Sequence, residues 1–114
     1  MAHKKIVARF YQAGDGTCPV REWLRKLPVV DKHAIGGDLA RVEFGWPIGM
    51  PVCKSIGDGL WEVRSRLPSE RTARLIFYIA DGEAFVLHGF IKKTTKTPKA
   101  DLALARKRKK ELEQ

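Results

Sequence analysis

Two consecutive segments near the middle of the chain alternate between apolar and polar residues with a period of two. Residues 60–67 read Leu-Trp-Glu-Val-Arg-Ser-Arg-Leu, and residues 71–78 read Arg-Thr-Ala-Arg-Leu-Ile-Phe-Tyr. Because successive side chains of a strand point to opposite faces, this pattern predicts two strands that each carry an apolar row. A third strand is predicted over residues 84–90. Short turns at 68–70 and 81–83 make the three strands antiparallel neighbours.

The residue pattern of the N-terminal half predicts one strand and two helices. The opening strand covers residues 5–11 and ends at the turn Gly14-Asp15-Gly16. A helix begins at Pro19, capped by Thr17 or Cys18, and a second helix follows Pro28. Apolar side chains recur at helical spacing in both segments: Val20, Trp23, Leu24 and Leu27 in the first, and Ile35, Leu39 and Val42 in the second. We expect Trp23, Trp46 and Trp61 in the core.

The rest of the chain is a loop and a final helix. Residues 49–59 are rich in glycine and proline and are interpreted as a loop that leads into the strands. Thr97 and Pro98 predict the cap and first turn of a C-terminal helix. The predicted fold is therefore α+β. It forms a single domain, residues 1–114, with a four-stranded antiparallel sheet (mixed at the first strand), two N-terminal helices and a basic C-terminal helix, the helices packed on one side of the sheet.

The charge of the chain narrows the choice of partner. Its 22 lysines and arginines against 13 acidic residues give a net charge of +9 and a pI near 9.9. Such a balance favours a polyanionic partner, nucleic acid first and a membrane surface second. No segment is apolar over enough length to span a bilayer, and the N-terminus lacks a signal-peptide core, so we expect a cytoplasmic protein without membrane association.

The motif content argues against several common chemistries. Cys18 and Cys53 lack a CxxC partner or matched histidine spacing, so both are expected as reduced thiols rather than as a disulfide or zinc ligands. GxGxxG, P-loop, HExxH and GxSxG motifs are absent from the sequence. We therefore expect neither a cofactor nor a metal.

A cationic strand face is the strongest candidate for chemistry. Glu62, Arg64 and Arg66 alternate with the apolar row of their strand, and Arg74 and Tyr78 can stand beside them on the next strand. Guanidinium groups stay charged and pair with phosphate oxygens in two-point contacts. The face formed by Arg64, Arg66, Arg74 and Tyr78 therefore suits a phosphodiester.

Residues of the third strand and of the last helix extend this candidate site. His88 could transfer protons near neutral pH if the register places it on the cationic face, and otherwise it is a core histidine. Lys92 and Lys93 follow where that strand leaves the sheet. Five successive cations of the last helix are either an ordinary charged surface or a non-specific phosphate contact: Arg106, Lys107, Arg108, Lys109 and Lys110. The strand arginines could likewise be a solvated face paired with Glu62 and Glu70.

Several blocks together resemble a known family. These are 59–64 (Gly-Leu-Trp-Glu-Val-Arg), 73–78 (Ala-Arg-Leu-Ile-Phe-Tyr), 87–94 (Leu-His-Gly-Phe-Ile-Lys-Lys-Thr), 96–98 (Lys-Thr-Pro) and the basic terminal helix. In combination they resemble the RelE/HigB toxins, closest to a phage-derived, HigB-like branch.

The resemblance implies a RelE-like fold and a toxin of a type II toxin-antitoxin system. Such toxins are metal-independent endoribonucleases that cleave messenger RNA on the ribosome by attack of a ribose 2′-hydroxyl on the adjacent phosphate. By position, the resemblance implies catalytic roles for Arg64 and Arg74, with His88 or Lys93 as the proton-transfer group. It also implies two partners, the ribosome with its mRNA and a cognate antitoxin, expected to be a helix-turn-helix protein.

Two other functions fit the same scaffold. A ParE-like toxin would inhibit DNA gyrase by protein contact and would need no catalytic platform. A non-catalytic RNA-binding or phage structural protein would cause no growth arrest.

Overall fold

The computed structural model describes residues 3–92 and 96–114 and shows an α+β fold of three helices and one five-stranded mixed sheet. None of the helices in these ranges is long and apolar enough to cross a membrane. In chain order the elements are β1 (Val7–Phe10), α1 (Pro19–Arg25), α2 (Val29–Gly45), β2 (Cys53–Gly57), β3 (Leu60–Arg66), β4 (Thr72–Ala80), β5 (Glu83–Lys92) and α3 (Lys99–Glu113).

The sheet has the strand order β1-β5-β4-β3-β2. Strand β1 runs parallel to β5 and every other neighbouring pair is antiparallel, so the predicted class and the mixed first strand are confirmed. The prediction of four strands was wrong, because β2 lies within the segment interpreted as a loop. Asp58 and Gly59 turn β2 into β3 with positive φ angles of 58° and 75°, the conformation that tight hairpins require.

The helices cover both faces of the sheet, not one face as expected. Strand β4 sends Leu75 and Phe77 into a core shared with α1 and α2, and sends Ile76 and Tyr78 into a second core shared with α3. Both rows of β4 are buried, so each face needs an apolar cover. The basic helix supplies the second cover although few of its residues are apolar.

The larger core lies between the sheet and the two N-terminal helices. Ile35, Leu39 and Val42 of α2 are buried against it, as their helical spacing predicts. Trp46 packs edge-on against Trp61, with ring centroids 5.0 Å apart. The expectation that the tryptophans anchor the core is confirmed, since all three pack against this cluster.

Helix α3 is fixed to the opposite face by one buried apolar residue and several polar contacts. Ala105 is fully buried. Arg108 Nη1 donates a hydrogen bond to the carbonyl oxygen of Leu87 at 2.8 Å, and the hydroxyl of Tyr11 donates one to Glu111. Leu87 is the extra residue of a β-bulge in β5, between the pairs Ile76–His88 and Phe77–Val86, and a bulge leaves backbone groups without a ladder partner. Arg108 therefore satisfies a carbonyl that the sheet leaves unpaired.

Candidate nucleic-acid interface

The register of the sheet places most of the predicted site residues on one face. Arg64 lies opposite Arg74 across β3 and β4, and Arg66 lies opposite Thr72. Across β4 and β5, Ile76 lies opposite His88. Because residues opposite each other project from the same side of a sheet, the shared face of the arginines is confirmed. The register that the sequence left open also brings His88 to this face.

Arg74 is buried within this face and is not presented to a ligand. The residue is 3% exposed, and its Nη1 forms an ion pair with Glu62 Oε1. Thr97 Oγ1 donates a hydrogen bond to Glu62 Oε2 at 2.7 Å, so the carboxylate joins Arg74 to the start of the α3 segment. Burial lowers the pKa of Arg74 from its ordinary value, opposed by the charge of Glu62. The arrangement makes Arg74 a group that holds Glu62 in place, and its assignment to phosphate stabilisation stays an untested prediction.

Tyr78 is buried beneath α3 rather than offered to RNA. Its ring stacks on Phe85 with centroids 5.3 Å apart, and Lys109 Nζ lies 5.6 Å from the ring centroid on the side of α3. Burial raises the pKa of the Tyr78 hydroxyl. In this conformation an RNA base cannot stack on Tyr78, because α3 occupies that surface.

His88 stands at the N-terminal end of α3 in contact with a carboxylate. Its Nε2 lies 2.6 Å from Asp101 Oδ1, and its ring stacks on Phe90 at 5.4 Å. A carboxylate in this position fixes the orientation of an imidazole. A cavity of about 150 Å³ adjoins the histidine and is lined by Pro19, Val20, Trp23, Gly89 and Arg108.

Arg64 and Arg66 form the accessible part of the cationic face. Arg66 is exposed and Arg64 is half-buried, and among the residues that the structure describes neither one is paired with a carboxylate. Both line an open groove of about 630 Å³ at the edge of the sheet, which we call the β3 groove; its other lining residues are Asp38, Arg41, Pro51, Val52 and Thr72. Backbone N–H of Arg64 donates to the carbonyl of Val52 at 3.0 Å, which fixes the wall of the groove to β3.

The five cations of α3 do not form one continuous surface. Arg108 and Lys109 point to the sheet, where Lys109 Nζ donates to the carbonyl of Asp58 at 2.8 Å. Arg106 forms an ion pair with Asp58 at 2.6 Å. Lys107 and Lys110 remain exposed, the latter at the outer surface of the last turns. Five consecutive helical positions span more than one turn, so only part of the predicted block can contact RNA phosphates.

The two lysines after β5 can be placed only in part. Lys92 lies opposite Thr72 in the β4–β5 register, in the backbone row that also contains Arg66. This row is at the open end of the face, away from α3. Lys93 lies outside the described residues, so its predicted catalytic role stays a prediction.

The sequence analysis missed two residues in contact with predicted groups, Thr97 and Asp101, and one residue that lines the same groove as Arg64, namely Arg41. Thr97 was interpreted as a helix cap, but α3 has Pro98 in that position, and the threonine hydroxyl binds Glu62 instead. Asp101 pairs with His88, and no local pattern links two residues that are thirteen positions apart. Arg41 lines the β3 groove; its position one residue before the buried Val42 is a signal that it borders the sheet.

Thiol and acidic groups offer little else at this site. Cys18 and Cys53 are free thiols, as expected. Within residues 3–92 and 96–114, no group of three histidine, cysteine or acidic side chains is arranged to hold a metal ion.

Comparison with known proteins assigns the chain to a family without naming an activity. A search of the curated proteins finds no match. Residues 22–110, which run from α1 to the last turns of α3 and include the β3 groove and His88, match the model of the family described as Phage derived protein Gp49-like (DUF891). The chain therefore belongs to the phage-derived Gp49-like family.

Proposed function

We propose that the protein is the toxin of a type II toxin-antitoxin system and a metal-independent endoribonuclease that cleaves messenger RNA on the ribosome. The observation that carries the proposal is the pair of accessible arginines, Arg64 and Arg66, in an open groove at the uncovered end of a sheet face. The net charge of +9 and membership of a phage-derived family agree with it. The resemblance of the sequence to RelE/HigB toxins supplies the reaction.

In the proposed reaction, a ribose 2′-oxygen attacks the adjacent phosphorus as its proton passes to a base. The bond to the 5′-oxygen breaks, and that oxygen takes up a proton, leaving a 2′,3′-cyclic phosphate and a free 5′-hydroxyl. Negative charge builds on the phosphate oxygens, and fixed guanidinium groups stabilise it. Arg64 and Arg66 are assigned to that task, and His88, oriented by Asp101, is assigned to proton transfer.

The arrangement on the sheet sets the path of the RNA. His88 and Arg64 are on strands separated by β4, so about 10 Å of sheet lies between their strands. Phe90 lies opposite Arg74 in the register and is half-buried on the same face. We therefore place the RNA strand across the open end of the face, from the β3 groove over Phe90 to His88.

The proposed partners use different parts of the surface. Lys107 and Lys110 on the outer side of α3 are available for ribosomal RNA phosphates, a contact that needs charge but no base readout. A cognate antitoxin of the helix-turn-helix class is proposed to neutralise the toxin by covering the cationic face. Since both proposed partners are found in the cytoplasm, the protein is proposed to act there.

Inducing the protein in cells and mapping new 5′ ends on translated messages tests the proposal. We expect cuts only within ribosome-occupied reading frames. Growth arrest and the cuts should both be lost in the double variant Arg64→Ala/Arg66→Ala. Arg25→Ala is the matched control, because it removes an exposed arginine of α1 that is paired with Glu22 and does not line the groove. Intact messages in arrested cells would overturn the proposal.

The burial of Arg74 favours a second candidate, a non-catalytic RNA-binding protein on the same scaffold. One of the two arginines expected to act on the phosphate is engaged by Glu62, which leaves fewer groups for catalysis than for binding. This candidate predicts RNA retention without new 5′ ends. Arrest with intact messages and broken chromosomes would instead indicate the ParE-like alternative, inhibition of gyrase by contact.

A further inference from the structure

Helix α2 brings a third arginine to the groove that β3 lines. Asp38 and Arg41 are one helical turn apart and line the groove together with Arg64 and Arg66. The strand arginines were predicted from the alternating pattern of the sequence. Arg41 reaches the groove because α2 packs on the sheet. The β3 groove is therefore lined by guanidinium groups from both a helix and a strand.

The contacts of Arg41 leave it available to an anion. Its side chain is 61% exposed, and its contact with Asp38 is long, with Nη1 3.4 Å from Oδ1. A long contact made by a mostly exposed arginine on a helix surface is a weak ion pair. A phosphate that enters the groove can therefore displace Asp38 from Arg41 at small cost.

We propose that Arg41 is a phosphate-binding residue of the β3 groove, and that Asp38 weakens RNA binding by competing for it. The ligand is the backbone of single-stranded RNA, so the inference deepens the proposed function and rests on it for the identity of the ligand. A flexible phosphodiester chain that lies in the groove can contact the helix arginine and the strand arginines. The contact proposed for Arg41 is to the phosphate backbone, which is the same in every RNA, so it is independent of base sequence.

The test measures binding of a fluorescent eight-nucleotide 2′-O-methyl RNA by anisotropy over a series of KCl concentrations, since this RNA cannot be cleaved by 2′-hydroxyl attack. We expect Arg41→Ala to weaken binding about threefold to tenfold at low salt and to reduce the slope of log K against log salt by about 0.7, the loss of one phosphate contact to a single strand. Asp38→Asn should strengthen binding by a similar factor.

The pair Glu22 and Arg25 on α1 provides matched controls. It has the same i,i+3 spacing, and Arg25 is about as exposed as Arg41 (67% against 61%), but neither residue of the pair lines the groove. Arg25→Ala and Glu22→Gln change the net charge by the same amounts as the two test variants. If they change affinity and slope as much as the α2 variants do, the effect is one of net charge and the inference is wrong.

Two further outcomes separate this inference from its competitors. An eight-residue polyglutamate peptide that displaces the RNA at equal concentration would overturn the inference, because the groove would then recognise acidic protein as well as RNA. If Arg41→Ala loses RNA binding but wild-type protein makes no cuts in cells, the inference holds and the proposed nuclease function fails. If cuts occur and Arg41→Ala binds RNA like Arg25→Ala, the proposed nuclease function holds and the inference about Arg41 fails.

Discussion

Glu62 and Arg74 form an ion pair between the neighbouring strands β3 and β4, with side chains that are only 1% and 4% exposed. Thr97 adds a hydrogen bond to the same carboxylate, and Arg64 lies close enough to lower the pKa of Arg74, after the larger effect of burial. The pair thus connects the sheet with the segment before α3 and lies next to the accessible Arg64. It holds the cationic face in shape while taking one guanidinium away from any ligand.

Removing one member of this pair should destabilise the protein strongly. Arg74→Ala leaves Glu62 buried without its main partner, and such changes cost about 3 to 5 kcal/mol. The apolar double replacement Arg74→Met/Glu62→Leu should recover most of that loss, because no buried charge remains. Urea unfolding of the single and double variants measures both effects.

A loss below about 1 kcal/mol for Arg74→Ala would show that the pair is open in solution, since exposed pairs contribute no more than that. In that case Arg74 would return as a candidate for phosphate contact. Until stability is measured, loss of growth arrest in an Arg74 variant does not distinguish catalysis from unfolding. Arg64 and Arg66 are better test positions because they are accessible.

Much of the sheet could be predicted from alternation, but β2 could not. Strands β3 and β4 show a clear period of two, and the shared face of Arg64 and Arg74 follows from it. Strand β2 is a five-residue edge strand whose exposed Lys54 and Ser55 give no apolar row. The dipeptide Asp58-Gly59 was the available signal, since an Asp-Gly turn with positive φ at both residues favours a hairpin.

The charge state and burial of the site residues depend on pairing that the sequence does not specify. Arg74 and Arg64 follow the same alternation, yet one is buried and the other is half-buried. The two residues lie opposite each other, but Arg74 is on the central strand β4 and pairs with Glu62, whereas Arg64 is on β3 beyond Val63, where pairing with the edge strand β2 ends. The predicted side for the helices was wrong for a related reason, since Ile76 and Tyr78 need a cover that only α3 provides.

Replacing His88 should separate chemistry from binding. Under the proposed mechanism, His88→Ala should lower the single-turnover rate of mRNA cleavage on ribosomes about 10² to 10⁴-fold, the usual contribution of a proton-transfer group. Binding of uncleavable RNA should be unchanged, because the phosphate contacts are at Arg64 and Arg66. Asp101→Asn should lower the rate by a smaller factor, because it leaves the imidazole in place but poorly oriented.

His33 provides the control for this experiment. It is an exposed histidine on α2, and His33→Ala should cleave like the wild-type protein. Equal rates for the His88 and His33 variants would exclude proton transfer by His88. The role would then pass to another group, and the contact with Asp101 would be structural.

A side chain at position 89 should disturb the contact between α1 and β5. A Cβ on Gly89 would lie 2.7 Å from the Trp23 ring and 2.9 Å from Leu75. Such overpacking costs about 1 to 3 kcal/mol, so Gly89→Ala should lower the free energy of unfolding by that amount. Trp23→Leu should make the second substitution less costly in a double-mutant cycle.

Gly36 offers the opposite case and serves as the control. It lies in the interior of α2, and a Cβ there would meet nothing within 4 Å. Gly36→Ala should therefore stabilise the protein by about 0.5 to 1 kcal/mol, because alanine favours the helix. If Gly89→Ala is as well tolerated as Gly36→Ala, the close packing of Trp23 on β5 is wrong.

Alkaline pH should destabilise the protein through Cys53. Burial raises the pKa of this thiol from 9.0 to about 11. Below pH 9 the thiol is neutral in both folded and unfolded chains, and its contribution to stability is fully present. Between pH 9 and 11 the unfolded chain ionises first, so the free energy of unfolding should fall by about 2 kcal/mol over this interval.

Cys53→Ala should show a shallower decline in the free energy of unfolding, and Cys18→Ala should retain the wild-type decline. Urea unfolding at pH 8 and at pH 11 compares the three proteins. Parallel declines for all three would mean that Cys53 ionises as readily in the folded chain as in the unfolded one, and hence that its thiol is not buried in the larger core.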